Sequence, residues 1–167
     1  VMKLLDDKEF CLACVDPPYG IGMDGNNNWS GSKHEAKDWD NDAPSIEYFN
    51  ELMRISKNQI VWGANHFISR MPFDSKCWLI WDKMQEFSGA VFEMAWASFT
   101  SPAKAFRMSR VEAYGNTNKI HPTQKPIELY DFCYNFSKLE EGSKVLDTHL
   151  GSGSSRISAN KAKLHFV

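Results

Sequence analysis

Three clusters of residues have types and spacing that could do chemistry. The first, Asp16-Pro17-Pro18-Tyr19, joins a carboxylate, two rigid imino residues and an aromatic hydroxyl. An amine bonded to an aromatic ring is a poor nucleophile because its lone pair is spread into the ring. Chemistry at such a nitrogen needs acceptors that hold its N–H bonds in a localising geometry. The Asp16 carboxylate and the Pro17 carbonyl supply two, and prolines carry no amide N–H to compete. Tyr19 adds a flat face on which an unstacked base can rest. Alone, the tetrapeptide also reads as an Asp-Pro-Pro turn beside a buried tyrosine, since short matches recur by chance.

The second cluster runs Asp147-Thr148-His149-Leu150-Gly151-Ser152-Gly153-Ser154 after the apolar pair Val145-Leu146. Glycine lets a backbone approach a ligand closely, and the amides of a following helix start attract a carboxylate or phosphate. A phosphate-cradling P-loop is opposed by Ser154-Ser155 where Lys-Ser/Thr would stand and by the missing four-residue spacer. Gly-x-Gly alone is equally a plain tight turn. The third cluster, His121-Pro122-Thr123-Gln124-Lys125-Pro126, leads into a helix that Thr123 could cap, with Lys125 offering a cation to an acidic group.

In this order the clusters resemble the amino-methyltransferases of DNA, in the β arrangement and its short phage-type members. In that family an Asp-Pro-Pro-Tyr catalytic motif comes first, a His-Pro-Thr-x-Lys-Pro segment later, and a strand ending in Asp and a Gly-x-Gly turn last. The resemblance spans nearly the whole chain. It implies an α/β, Rossmann-like S-adenosylmethionine-dependent methyltransferase fold, with a mostly parallel sheet and permuted motif order. It also implies methyl transfer to the exocyclic N6 of adenine, because cytosine-N4-directed relatives usually have Ser where this chain has Asp16. Asp16, Pro17, Pro18 and Tyr19 would act on the base. Asp147, His149, Gly151 and Gly153 would border the methionine part of S-adenosyl-L-methionine, with Thr123 and Lys125 near its carboxylate, and Leu150, Ser152, Ser154 and His121 would complete the cofactor-binding set. Double-stranded DNA with a flipped target base is the expected partner, without metal or membrane, and pairing into a homodimer stays open, as does a role in restriction-modification. N4-cytosine methylation and a non-catalytic nucleic-acid-binding remnant are the alternatives. Family members hold the cofactor ribose with an acidic residue one strand after the glycine turn. The chain ends at Val167 ahead of it, so the C-terminal strands are expected to be truncated.

The elements that must position these residues are legible in the hydrophobic pattern. Phe10 to Val15 is a nearly continuous apolar run that stops at two prolines, which suits a strand buried on both faces. Ser45 can cap a helix to about Ser56, with Ile46, Phe49, Leu52 and Met53 along one face. Gln59 to Gly63, Cys77 to Trp81 and Glu93 to Phe99 read as strands. Pro126 opens a second helix carrying Leu129, Phe132, Cys133 and Phe136, and Lys144 to Leu150 reads as a strand. Ser154 to Ala162 reads as a third helix and Leu164 to Val167 as a last strand. Alternating strands and helices predict an α/β domain around a mostly parallel sheet. Residues 24–44, rich in Gly, Asn and Ser, read as a mobile loop holding Trp29 and Trp39, whereas Trp62, Trp78, Trp81 and Trp96 read as core.

Composition fits a single domain over residues 1–167, since 43% hydrophobic content is ordinary for a globular chain of this length. No apolar run approaches the ~18 residues of a membrane span and no signal peptide is visible, so a cytoplasmic protein is expected. The net charge of −2 carries no global nucleic-acid signature. Locally, Lys104, Arg107, Arg110, Lys119 and Lys125 face a single acidic residue, Glu112, which makes 104–119 a candidate DNA-contacting segment. Cys11 and Cys14 lie in a strand, where positions three apart face opposite sides, so a shared metal is not expected. His34 and His66 show no ligand spacing and are given no role.

Overall fold

The computed structural model describes residues 2–20, 42–84, 90–115 and 124–167. The apolar run Phe10–Val15 is strand β1, buried on both faces except at the half-buried Cys11. Helix α1 spans Ile46–Ile55, and the Ser45 side chain accepts a hydrogen bond from the Tyr48 amide, as the cap position predicts. β2 (Ser56–Trp62) follows without a loop, and β3 (Cys77–Asp82) and β4 (Phe92–Ala97) form where the aromatic-rich segments predict strands. After β5 (Lys104–Arg107) come α2 (Arg110–Tyr114), α3 (Ile127–Phe136), β6 (Lys144–Leu146), α4 (Ser154–Lys161) and β7 (His165–Phe166).

Among the described residues the strands form one seven-stranded sheet in the order β5-β3-β4-β2-β1-β6-β7. β4 runs antiparallel to β2 and β3, and every other pairing is parallel. This is the mostly parallel α/β sheet that the alternating pattern predicts. On one face, Phe49, Leu52 and Ile55 of α1 pack on Ala13, Val15 and Val61. On the other, Leu129 and Cys133 of α3 and Ala159 of α4 pack on Leu12, Cys14 and Val145. Burying a side chain of the size of Leu or Phe contributes about 1.5–3 kcal/mol, so these contacts hold β1 rigidly between two helical layers.

The path of the chain reverses at the middle of the sheet. From β1 it crosses through α1 to β2 on one side, and from β6 it crosses through α4 to β7 on the other. The boundary between β1 and β6 is therefore a topological switch point, where the two crossovers diverge and leave a crevice beyond the carboxyl ends of the strands.

Two expectations change. The strand expected over Lys144 to Leu150 ends at Leu146, because the Asp147 side chain accepts the His149 amide at 3.0 Å and turns the chain out of the ladder. The basic stretch from Lys104 holds two elements not read from the pattern. β5 is an edge strand paired with β3, and α2 is closed by a capping box between Ser109 and Glu112. The pattern misses β5 because only Phe106 among its four residues packs on the core. The rest of the 104–119 segment, 116–119, and the larger part of the 24–44 loop, 24–41 with Trp29, His34 and Trp39, lie outside the described residues. No helix among the described residues is long and apolar enough to cross a membrane.

Candidate active site

Parallel pairing of Leu12 with Val145 and Ala13 with Leu146 sends the two chemical turns off the same ends of adjacent strands. Asp16-Pro17-Pro18-Tyr19 leaves β1 and Asp147–Gly153 leaves β6, both into the switch-point crevice. The Asp16 charge acts on both Asp147 and His149, which places the two turns within electrostatic reach of one another.

On the β1 side, Asp16 is the centre of a buried polar network. Its Oδ1 accepts the Tyr19 hydroxyl at 2.7 Å, and its Oδ2 pairs with Lys125 Nζ at 2.5 Å. Lys125 also donates to the Tyr19 hydroxyl at 3.1 Å and pairs with Glu93 of β4 at 3.3 Å. Lys83, just beyond β3, pairs with the other Glu93 oxygen at 2.8 Å. Burial works against the Lys125 charge, but Asp16, Tyr19 and Glu93 outweigh it and push its pKa well above the usual lysine range. Burial likewise opposes the Glu93 charge, yet Lys125 and Lys83 take that carboxyl down to about 2. Desolvation, followed by the Asp16 charge, pushes the Tyr19 phenol well up, so it stays a hydroxyl donor.

Tyr19 is held by its surroundings as well as by its hydroxyl. Gly63 ends β2 at φ 72°, and a Cβ there would overlap the Tyr19 ring. The exposed His66 imidazole stacks on Tyr19 at 5.0 Å with planes 15° apart, so this ring already carries a planar nitrogen heterocycle. The indole nitrogen of the fully buried Trp62, with Lys125 Nζ 5.9 Å from its ring, has no hydrogen-bond partner among the described residues.

On the β6 side, Asp147 Oδ2 accepts the Ser155 hydroxyl at 2.5 Å while Oδ1 accepts the His149 amide. Burial dominates these bonds and raises the Asp147 pKa to about 6. Burial also lowers the His149 pKa, which leaves a neutral imidazole at neutral pH. Its Nδ1 lies 2.9 Å from Thr148 Oγ1, which is 2.6 Å from the Tyr48 hydroxyl of α1. Gly151 and Gly153 take φ 52° and 78°, and Gly153 stands at the N-cap of α4. A buried carboxylate short of positive charge, two permissive glycines and the N-terminal amides of an eight-residue helix fit a small zwitterion carrying extra positive charge. Among the described residues no group of three or more His, Cys, Asp or Glu could hold a metal ion.

Of the residues expected at the site, Asp16, Pro17, Pro18 and Tyr19 stand at the end of β1, and Asp147, His149, Leu150, Gly151, Ser152, Gly153 and Ser154 at the end of β6. Lys125 stands with the first group, on Asp16, and not at the glycine turn. His121 and Thr123 lie outside the described residues. Sequence reasoning missed Gly63, His66, Lys83, Glu93 and Tyr48. A signal existed for Glu93, a single carboxylate inside the otherwise apolar Phe92–Ala97, since an acid in a core strand needs a partner. For His66, nothing in the sequence neighbourhood announces its stack on the distant Tyr19.

No family model and no curated protein matches the chain. Solved structures do. The PvuII DNA methyltransferase, cytosine-N4-specific, superposes over 99% of this chain and 76% of its own with TM-score 0.62 and 11% identity. M1.HpyAVI in complex with SAM covers 98% and 82% with TM-score 0.56 and 15% identity. The Thermus thermophilus protein TTHA0409, complexed with S-adenosyl-L-methionine, covers 99% and 82% with TM-score 0.53 and 15% identity. At these identities the likeness is one of fold, and the fold of this chain is the Rossmann-like α/β arrangement of those proteins.

Proposed function

We propose that this protein is an S-adenosyl-L-methionine-dependent DNA methyltransferase acting on the exocyclic N6 of adenine. The observation that carries the reading is the meeting of the Asp-Pro-Pro-Tyr turn and the Asp-x-His-x-Gly-x-Gly turn at one switch point, through the β1–β6 pairing. The likeness to folds solved with SAM or described as DNA methyltransferases supports it. Asp16 as the first residue of the turn favours adenine over cytosine N4, by the family pattern already described.

S-adenosyl-L-methionine supplies an electrophilic methyl group on a sulfonium. Asp147 and the α4 start, with Gly151 and Gly153, fit the two charges of its amino-acid end. The chain's own work lies on the nucleophile. A carboxylate has about four acceptor sites, so Asp16 keeps capacity for an amino N–H after accepting Tyr19 and Lys125. With the Pro17 carbonyl as second acceptor, the amino hydrogens would be fixed and the nitrogen lone pair left available. The N–C bond would form as the sulfonium C–S bond breaks, a neutral thioether would leave, and the extra amino proton would pass by way of the Asp16 carboxylate to solvent. The Tyr19 ring supports the base, which leaves the duplex stack to reach it. No enzyme nucleophile is needed, because positioning and fixed charge supply the rate.

Asp16→Ala is expected to abolish transfer of tritiated methyl to DNA while changing S-adenosyl-L-methionine affinity by no more than about twofold. Turnover equal to that of the parent protein would refute the role of Asp16. Nucleoside analysis of the digested product tells N6-methyladenine from N4-methylcytosine, and the second result would replace adenine by cytosine.

A further inference from the structure

We infer that Lys125, fixed by Glu93, is a positioning residue for Asp16, and that Glu93 belongs to the transfer machinery although it lies on β4, away from both motifs. This rests on the methyltransferase reading and adds two side chains to it. An ammonium has three N–H donors. Those of Lys125 meet three oxygens, Asp16 Oδ2 at 2.5 Å, the Tyr19 hydroxyl at 3.1 Å and Glu93 Oε2 at 3.3 Å. The donors are thus matched by protein oxygens, and none is left over for the carboxylate of a bound cofactor.

Donors and acceptors close a ring. Tyr19 donates its one hydroxyl proton to Asp16 Oδ1 and accepts from Lys125, which donates to Asp16 Oδ2. Both carboxylate oxygens are therefore tied from the protein side, which fixes the plane of the Asp16 carboxylate. Lys125 Nζ is 3.1 Å from the phenol oxygen and 5.6 Å from the ring centroid, so it sits off the hydroxyl end and does not cover the ring face, on which the exposed His66 imidazole stacks. Two features restrain Lys125 itself. The Gln124 carbonyl accepts the Tyr114 hydroxyl of α2, and Glu93 draws the ammonium from the sheet side. Glu93 is in turn tied by Lys83 through its other oxygen, so charges alternate from Lys83 to Asp16 across a largely buried site. A carboxylate that must hold an amino group within a fraction of an ångström loses rate when released to rotate.

Steady-state kinetics with labelled cofactor and duplex DNA, with cofactor affinity by calorimetry, test the proposal on the intact chain. Glu93→Gln keeps the shape of the side chain and is expected to lower kcat about tenfold with cofactor Kd and DNA KM within about twofold. Lys125→Met is expected to lower kcat about a hundredfold, again with cofactor Kd within about twofold. The double variant is expected to be no slower than Lys125→Met, because Glu93 acts through Lys125. Multiplying losses, or Glu93→Gln with the parent kcat, overturn the proposal. So does a tenfold weaker cofactor affinity with unchanged kcat in Lys125→Met, which would make Lys125 a cofactor contact. If Lys125→Met fails to fold by circular dichroism, the Glu93→Gln result decides. A parent protein that transfers no methyl to DNA sinks the methyltransferase reading, whereas variants as fast as an active parent sink only this inference.

Discussion

Asp16 and Asp147 are two aspartates at the ends of adjacent strands, and their surroundings give them different work. Asp16 has a cation at 2.5 Å, whereas Asp147 is bonded by neutral donors, Ser155 and the His149 amide. Burial consequently raises Asp147 to about 6. A ligand that brings positive charge beside it favours the ionised form, so binding should release a proton near that pH. Calorimetric titration with S-adenosyl-L-methionine at about pH 6, in two buffers of different ionisation enthalpy, is expected to show release of up to about half a proton. Asp147→Asn is expected to lose this buffer dependence. Equal heats for the parent protein in both buffers would remove Asp147 from the cofactor's charged end.

The strand ends do the positioning, and each ends for a local reason. β1 stops at prolines that cannot continue a ladder, β6 stops where Asp147 captures the His149 amide, and β2 stops at a left-handed glycine. Gly63 is the most sensitive of these points, since its conformation disfavours a side chain and its missing Cβ makes room for Tyr19. Gly63→Ala is expected to lower stability by about 1–2 kcal/mol through the backbone alone. By displacing the Tyr19 ring it is expected to cut methyl transfer at least about tenfold, with cofactor affinity unchanged. Thermal unfolding and single-turnover kinetics check both parts, and a variant with normal turnover would show that the ring need not stand where it does. Glycine, proline and capping signals are local in sequence, which is why α1 and β1 are legible to within a residue or so. β5 and α2 are not, because an edge strand with little to bury has no hydrophobic period.

Across the molecule, the two buried acids pull stability in opposite directions with pH. Asp147 has a folded pKa of about 6, above its ordinary 3.8, so the folded state alone holds its proton between those values. Its contribution is complete below pH 3.8 and is lost as pH rises through 6, on the order of 3 kcal/mol. Glu93 has a folded pKa of about 2 against 4.5, so its contribution is present above pH 4.5 and is lost as pH falls toward 2, again roughly 3 kcal/mol. Melting temperatures across this range are expected to show Asp147→Asn level with the parent below about pH 4 and more stable above about pH 6. Glu93→Gln is expected to be less stable than the parent at neutral pH and to converge on it in strong acid. Identical pH profiles for the three proteins would contradict both assignments.

Chain order and residue type were enough to predict an α/β sheet, the strand Phe10–Val15, the capped helix after Ser45 and the two turns that meet at the crevice. These depend on short-range chemistry: hydrophobic period, proline geometry, glycine freedom and the cap hydroxyl. The partners of Asp16 followed no such rule. Lys125 lies 109 positions from Asp16, and Glu93 comes from β4, which runs against its neighbours. A sequence records that a buried lysine or glutamate needs an opposite charge. Which one it meets is decided when the sheet assembles, because desolvation penalises every arrangement that leaves a charge unmatched.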